Sequence, residues 1–354
     1  MVTVSRDAET PRLAEGIAAR RVQAWLAAAP AAGLRRGELL LPELPADEVE
    51  IEVEACGLCH SDVSMWRNAW GRGGFPLVLG HEVVGRVVAR GTQVPALYPG
   101  QRVGVGWYRR SCMACPACRR GDLQHCELLQ RLLTDGHGGL AERIRCHWAW
   151  AFPIPAALSP QRAGSLFCAG ITAFAPISRY AHATHRAAVV GVGGLGHLAI
   201  RFLRAFGCEV LAIVRDQVQA RDALALGAHQ AVSLAAVEHG SVPRQAIDLM
   251  LITTGAKLPW PALTSLLAPQ ARLHLLAMQC EALPIAPAAL IPQAITISSS
   301  PLGRPDEVTA MLSFCVRHDI QPIVECMPMH EASSALRRLE SGDVRYRIML
   351  LPDF

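Results

Sequence analysis

Two cysteines, a histidine, a serine and an aspartate fall within seven positions at "CGLCHSD", residues 56–62. Thiolates and imidazoles bind borderline-soft metals, a hydroxyl passes protons, and a carboxylate orients an imidazole. Such a stretch is either half of a metal site or a reduced cysteine pair at a strand end, and the decision rests on what recurs elsewhere. "LGHEVVG" supplies His81 with Glu82 beside it, and "LFCAGITAF" supplies Cys168. Two thiolates, one imidazole and an open fourth position make a catalytic zinc set. Spacing alone does not join three separate segments. Cys168, among Leu166, Phe167 and Ala169, equally suits a buried core cysteine, and His81 a turn.

The segment "CMACPACRRGDLQHC" spaces Cys112, Cys115, Cys118 and Cys126 as C-x2-C-x2-C-x7-C. Four thiolates fill a tetrahedral zinc shell and leave no open position, so a site of this kind staples a loop and does no chemistry. A chance cluster and an iron–sulfur site are the alternatives; four cysteines in one polar, glycine-containing loop favour zinc. In "VVGVGGLGH", Gly191, Gly193 and Gly196 form a G-x-G-x-x-G pattern that encloses Gly194 and Leu195. A buried strand precedes it and a helix follows. In that context backbone amides cradle a pyrophosphate at a helix N-terminus.

These groups need elements to position them. "EVEIEVEACG" alternates apolar and charged residues, the period of two expected of a half-buried strand. "VVGRVVARG" and "QRVGVGW" repeat the style, and short strands with turns run to about residue 155, which indicates a β-rich domain. "FPIPAALSPQRAG" is a Pro-rich break and marks a hinge. Beyond it, "AAVVGVGGLGHLAIRFLRAFG" is a strand, a glycine turn and a helix ending at Gly207. "CEVLAIV" is a second strand, and "QVQARDALALGA" a helix closed by Gly227. "IDLMLIT", "ARLHLLAM" and "AITISSS" continue as strands of a parallel sheet built from βαβ units. After residue 300, "PDEVTAMLSFCVRHD" and "HEASSALRRLESG" read as helices and "VRYRIML" as a final strand.

A length of 354 residues suggests two domains of about 150 residues or more. With 51% hydrophobic and 18% charged residues the chain builds a true core and is not disordered. A net charge of +4 without a basic run argues against nucleic acid or an anionic membrane as the main partner. The N-terminal stretch carries Asp7, Glu9 and Glu15 and no apolar core, unlike a signal peptide, while "VQAWLAAAPAAGL" is short for a membrane span and is broken by Pro30. A cytoplasmic location is expected. There, twelve cysteines point to metal or redox work before disulfides. Lysine occurs only at Lys257, in a Gly-Ala turn, which leaves lysine-based catalysis without a good candidate.

Taken in order, "CGLCHSD", "GHEVVG", the four-cysteine segment, "CAGIT" and "GVGGLGH" resemble the zinc-dependent medium-chain alcohol dehydrogenases, from about residue 22 onward. The resemblance is nearest to the cinnamyl-alcohol-dehydrogenase-like branch. Within it, "HSDVSMWRNAWG", "CHWAWAFPIP" and "VRYRIMLLPDF" are similar to bacterial broad-range NADPH-dependent aldehyde reductases. An α/β chain is thereby implied, with a GroES-like, β-rich catalytic domain at residues 1–160, completed by 301–354. Residues 161–300 would form a Rossmann domain with a doubly wound parallel sheet. The resemblance also implies two zinc ions per chain, a catalytic one on Cys59, His81 and Cys168 and a structural one on Cys112, Cys115, Cys118 and Cys126. Cys56 would be a bystander, and Glu82 a carboxylate able to approach the catalytic metal. His60 would sit near the cofactor pyrophosphate, and Ser61 would pass a proton between the substrate oxygen and the ribose hydroxyls. Asp62 would orient His81, Thr172 would lie against the nicotinamide, and Thr253 would join the glycine turn in holding the cofactor. A homodimer is implied as well. One departure stands out: many relatives carry a histidine at the position of Ser64, where it ends the proton relay, so here water or another residue must end it.

An NAD enzyme of this fold places an acid at the end of its second strand to accept from the ribose 2'-hydroxyl. Counting along "CEVLAIVRDQ" puts Val214 there, followed by Arg215, whose guanidinium pairs with a 2'-phosphate. NADP is therefore expected, with Asp216 as the counterargument if the register shifts. The leading reading is an NADPH-dependent aldehyde reductase. An NAD-dependent alcohol dehydrogenase and a catalytically inactive zinc- and nucleotide-binding sensor are the alternatives. Trp66, Trp70 and Trp107 either line an apolar substrate pocket or belong to the core.

Overall fold

The computed structural model describes residues 18–278 and 282–354; Asp7, Glu9 and Glu15 lie outside the described residues. Two large sheets organise the chain. The first runs in the order Phe152–Pro153, Arg102–Val105, Glu82–Arg90, Glu48–Leu58, Arg347–Leu351, Val324–Pro328, and Arg143–His147 also pairs with Glu48–Leu58. The final strand thus lies beside a strand from the start of the chain, with Ile348 opposite Leu58, while Gly57 stands opposite Glu82. Those two registers bring three strand ends to one edge, and with them Cys59, His81 and Arg347.

The alternation in "EVEIEVEACG" holds only in part. Glu52 faces solvent, but Glu48 and Glu50 are buried. Arginines on neighbouring segments make this burial tolerable. Glu50 accepts from Arg145 (2.9 Å), Arg143 (2.8 Å) and Arg20 (3.1 Å), and Glu48 from Arg109 (2.8 Å) and Arg110 (3.0 Å). Burial pushes the Glu50 carboxyl up, but the hydrogen bonds from Arg143 and Arg145 outweigh it and leave the group below its ordinary range.

The second sheet is parallel throughout, in the order Gln230–Ser233, Glu209–Val214, Arg186–Val190, Ile247–Ile252, Leu267–Leu275, Thr296–Ser299. This is a doubly wound α/β arrangement, and chain order reverses between Arg186–Val190 and Ile247–Ile252. The crevice beyond the C-terminal ends of those two strands is where ligands bind in such sheets. Helices Ala169–Tyr180, Gly196–Ala205 and Pro305–Arg317 pack together through aromatic rings, with the Phe174 centroid 5.4 Å from those of both Phe202 and Phe314. Burying a side chain of this size contributes about 1.5–3 kcal/mol. On the other face Leu263 of Trp260–Ser265 packs with Val190, Ile252 and Leu273. Among the described residues, no helix is long and apolar enough to cross a membrane.

Candidate active site

Strand Glu48–Leu58 stops just before Cys59, and helix His60–Trp66 begins just after it. Cys59 is the N-cap of that helix. Its Sγ accepts the Ser61 N–H at 3.3 Å, and Asp62 Oδ2 accepts the Cys59 N–H at 2.9 Å, a reciprocal capping arrangement. Asp62 also reaches the second segment: its Oδ1 accepts the Gly80 N–H at 2.8 Å, and its Oδ2 lies 3.0 Å from His81 Nδ1, off the line of an ideal hydrogen bond. One buried carboxylate thereby ties two stretches of chain together and turns His81 Nε2 toward the cysteines. The third segment arrives through the turn Gly164–Phe167, where a β-carbon on Gly164 would meet the Glu82 carbonyl oxygen at 2.6 Å. Only glycine allows that approach, and Cys168 follows directly.

The result is a tight group. Cys59 Sγ lies 3.3 Å from His81 Nε2 and 4.0 Å from Cys168 Sγ, and His81 Nε2 lies 3.2 Å from Cys168 Sγ. Tetrahedral zinc, with Zn–S about 2.3 Å and Zn–N about 2.0–2.1 Å, sets two sulfurs about 3.8 Å apart and sulfur and nitrogen about 3.6 Å apart. The donor set therefore fits zinc in both chemistry and spacing. Glu82 completes a foursome whose ligand atoms all lie within 4.8 Å of one another. Hydrogen bonding from Cys168 and the charge of His81 hold the Cys59 thiol well below its ordinary range, against the effect of burial. The same bond, together with burial, pushes Cys168 up. Burial works to lower His81, but Asp62 and Cys59 overcome it and raise the imidazole. A cluster that gathers negative charge out of water in this way calls for a cation.

Arg347 is the functional candidate that the sequence reading missed. It is buried in the strand Arg347–Leu351, with Nη2 3.4 Å from Glu82 Oε1. Ser165 Oγ donates to the other Glu82 oxygen at 2.8 Å. Burial raises the Glu82 carboxyl, the nearby Arg347 opposing it. The guanidinium also borders the glycine turn, since a β-carbon on Gly194 would meet it at 3.0 Å. An arginine within the otherwise apolar end of "VRYRIML" was the available signal.

The glycine turn fits a dinucleotide. Gly191 has φ +93°, a conformation that side chains strain to adopt, and a β-carbon on Gly196 would strike the Gly191 carbonyl oxygen at 2.0 Å. A β-carbon on exposed Gly193, by contrast, would meet nothing within 4 Å, which leaves room for a pyrophosphate to pass close to the backbone. Leu195 caps helix Gly196–Ala205. Thr253 Oγ1 donates to the carbonyls of Val190 (3.0 Å) and Gly191 (2.6 Å), so its hydroxyl shapes the turn. Thr172 Oγ1 donates to the Cys168 carbonyl at 2.7 Å, one turn along the helix from the metal cluster. His60 is exposed at the start of its helix, and the half-buried Ser61 hydroxyl has no internal partner among the described residues.

At the far end of the crevice, Val214 is the last residue of its strand. Asp216 caps helix Gln217–Ala225, accepting the N–H groups of Val218 and Gln219 at 3.0 Å each. Those bonds, first that from Gln219, hold its carboxyl below the ordinary range. Arg215 is exposed and touches Asp216 at 3.1 Å.

The four-cysteine loop gathers its sulfurs within 4.8 Å of one another. Backbone N–H groups point at them, from Cys112 and Leu128 to Cys126 Sγ and from Cys115 to Cys112 Sγ, at 3.2–3.3 Å. The three tryptophans separate into two environments. Trp66 is core, its Nε1 donating to the Ala32 carbonyl at 2.7 Å. Trp107 is half-buried and meets His81 edge-on at 4.8 Å, and Trp70 meets Trp107 edge-on at 6.0 Å.

Residues 45–156 match the family model for the alcohol dehydrogenase GroES-like domain, and residues 194–317 that for zinc-binding dehydrogenases. An aldehyde reductase of Synechocystis sp. is 40% identical over 308 residues, covering 87% of this chain and 92% of that protein. An NADP-dependent alcohol dehydrogenase of Mycolicibacterium smegmatis is 31% identical over 313 residues, covering 86% and 90%. Among solved structures, a cinnamyl alcohol dehydrogenase from Sorghum bicolor superposes with a TM-score of 0.89 at 28% identity, covering 94% of this chain and 97% of that one.

Proposed function

The chain belongs to the zinc-dependent medium-chain alcohol dehydrogenases, and from that premise we propose that it reduces aldehydes to primary alcohols with NADPH, the same residues serving the reverse oxidation. The observation that carries this reading is the junction at Arg347, a single guanidinium between a thiolate–imidazole cluster and a glycine turn. It supports a metal and a dinucleotide meeting at one place. The activities of the relatives, an aldehyde reductase and an NADP-dependent alcohol dehydrogenase, support the reaction and the cofactor.

Zinc, when bound by Cys59, His81 and Cys168, supplies Lewis-acid polarisation of the carbonyl, and NADPH supplies the hydride. The chain's own groups do the rest. Asp62 keeps His81 Nε2 aimed at the thiols. Ser61 Oγ, without a partner among the described residues, would hand its proton to the substrate oxygen, and a bound NADPH would offer its ribose hydroxyls as the neighbouring link. Ser64 carries no imidazole, so water or another residue ends that relay. The half-buried Trp107 and Trp70 offer an apolar wall beside His81, which supports aldehydes with an apolar body. Cys112, Cys115, Cys118 and Cys126 hold the second, structural zinc.

The same reading divides the chain into a catalytic unit of residues 1–160 with 301–354 and a nucleotide-binding unit of 161–300. It also makes the protein a cytoplasmic homodimer, and the open edge strand Thr296–Ser299, with exposed Ile291 nearby in the chain, supports a partner of its own kind.

NADP preference rests on Val214, which offers no acceptor, and on Asp216, whose carboxylate is engaged in capping. Arg215 is then the group for the 2'-phosphate. Removing one charge-assisted contact costs about 1.5–3 kcal/mol, so Arg215→Ala weakens NADPH binding roughly ten- to a hundredfold and leaves NADH nearly unchanged. Dissociation constants for both cofactors test this, alongside NADPH consumption over a panel of aldehydes. Tighter binding of NADH by the wild type would overturn the cofactor assignment.

A further inference from the structure

Arg345, Tyr346 and Arg347 touch three different parts of the molecule. Arg345 Nη2 donates to Asp222 Oδ1 at 2.6 Å, on helix Gln217–Ala225 beyond Arg215. Tyr346 stacks on His197, with centroids 4.8 Å apart and planes within 8°. Arg347 borders Gly194 on one side and Glu82 on the other.

His197 is fully buried in the first turn of helix Gly196–Ala205. Its Nε2 accepts the Ile323 N–H at 3.4 Å, which leaves Nδ1 to carry the proton and donate to the Gly193 carbonyl at 3.1 Å. The Ile323 carbonyl in turn accepts the Tyr346 N–H at 3.4 Å. The imidazole is thus fastened at one end to the glycine turn and at the other to the segment facing Tyr346, while its face holds the Tyr346 ring. Burial, and then the charge of Arg347, push its pKa down to about 3. A neutral ring stacks here without repelling the neighbouring guanidinium. Arg347 needs such an anchor. Its contact with Glu82 is long, and its buried Nε has no hydrogen-bond partner among the described residues.

We propose that His197 and Tyr346 are a positioning pair that anchors the backbone carrying Arg347, so that a nucleotide held at the glycine turn is sensed at the metal cluster through that guanidinium. The inference rests on the glycine turn being the nucleotide site, as proposed above. Neither ring touches the reacting atoms in this scheme. They act through Arg347.

The test is NADPH affinity of the zinc-loaded protein, read by nucleotide fluorescence, with melting temperature and zinc content measured on the same samples. Tyr346→Leu removes the stack and is expected to raise the NADPH dissociation constant about tenfold, the effect of misplacing one charge-assisted contact. Tyr346→Phe, which keeps the ring, restores tight binding. His197→Phe keeps the stack and loses both ring hydrogen bonds, so its expected weakening is smaller, about threefold. Because both rings act through Arg347, Tyr346→Leu adds nothing in an Arg347→Ala background. A lower melting temperature with unchanged affinity in both Tyr346→Leu and His197→Phe would overturn the proposal, as would effects that simply add to those of Arg347→Ala. A wild type that binds no nicotinamide nucleotide would overturn the nucleotide site itself, a result distinct from either.

Discussion

The four-cysteine loop draws every ligand from residues 112–126, whereas the second cluster collects Cys59, His81, Glu82 and Cys168 from three parts of the chain. Their surroundings differ in the same way. Cys112 and Cys115 are half-exposed, and backbone N–H groups lower their thiols, Cys115 to about 6 through those of Cys118 and Glu127. Cys59 and His81 are buried, and side chains rather than backbone set their charge: Cys168 and His81 hold the Cys59 thiol down, and Asp62 and Cys59 hold the imidazole up. A loop that carries its own donors forms wherever its backbone folds. The other cluster exists only when two strand ends and the turn Gly164–Phe167 meet. Local ligands suit a staple, and assembled ligands suit a site whose fourth position must face a substrate.

Removing one sulfur from each cluster is the severest way to break this contrast. Cys59→Ala is expected to abolish turnover and lose one metal while the fold persists. Cys112→Ala is expected to lose the other metal, with a lower melting temperature or poor assembly as its main consequence. Elemental analysis and thermal melts on both variants decide it, and an unchanged metal count in Cys59→Ala would remove that residue from the shell.

Ser61→Ala sharpens the comparison within the assembled cluster, because it spares every ligand. Metal content stays constant and the rate falls about 10²–10⁴-fold, the usual worth of a positioned proton carrier. Near-normal turnover would mean that water or another group moves the proton.

A smaller effect is expected of Asp62→Asn, about 10–100-fold in zinc affinity or rate, as is typical of groups that orient a metal-binding histidine. The loop has no side chain in that role, so the loss should be confined to one metal. Competition with a chelator measures it; equal release rates in variant and wild type would reduce Asp62 to a helix cap.

Legibility in the sequence followed contiguity. The glycine turn, its flanking strand and helix, and the four-cysteine spacing were readable because each is written in consecutive residues. Helix His60–Trp66 was not, since seven residues give too few turns for a period, and its cap is a cysteine, which carries no standard capping signal. The burial of Glu48 and Glu50 escaped the alternation rule because their arginine partners, among them Arg109 and Arg145, lie far along the chain. Arg347 was hidden for the same reason, as its partner Glu82 lies far away along the chain. Trp66 and Trp70 are four residues apart in a single segment, yet the first donates to Ala32 and the second faces Trp107, a distinction only tertiary contacts make.

The strand Arg347–Leu351 lies inside the first sheet, between Glu48–Leu58 and the edge strand Val324–Pro328, although it is the last strand in chain order. A ribosome adds about 5–20 residues per second, so Glu48–Leu58 is made many seconds before its neighbour exists. Until then that central strand has an open edge, and Cys59 and Glu82 lack the arginine that offsets their charge. The nucleotide-binding sheet, whose strands all precede residue 300, meets no such delay. Messages cut short before codon 347 would therefore yield a chain with a finished nucleotide-binding sheet, a glycine turn still without Arg347 and an unfinished metal centre. Synthesis through the strand Arg347–Leu351 becomes a condition for activity.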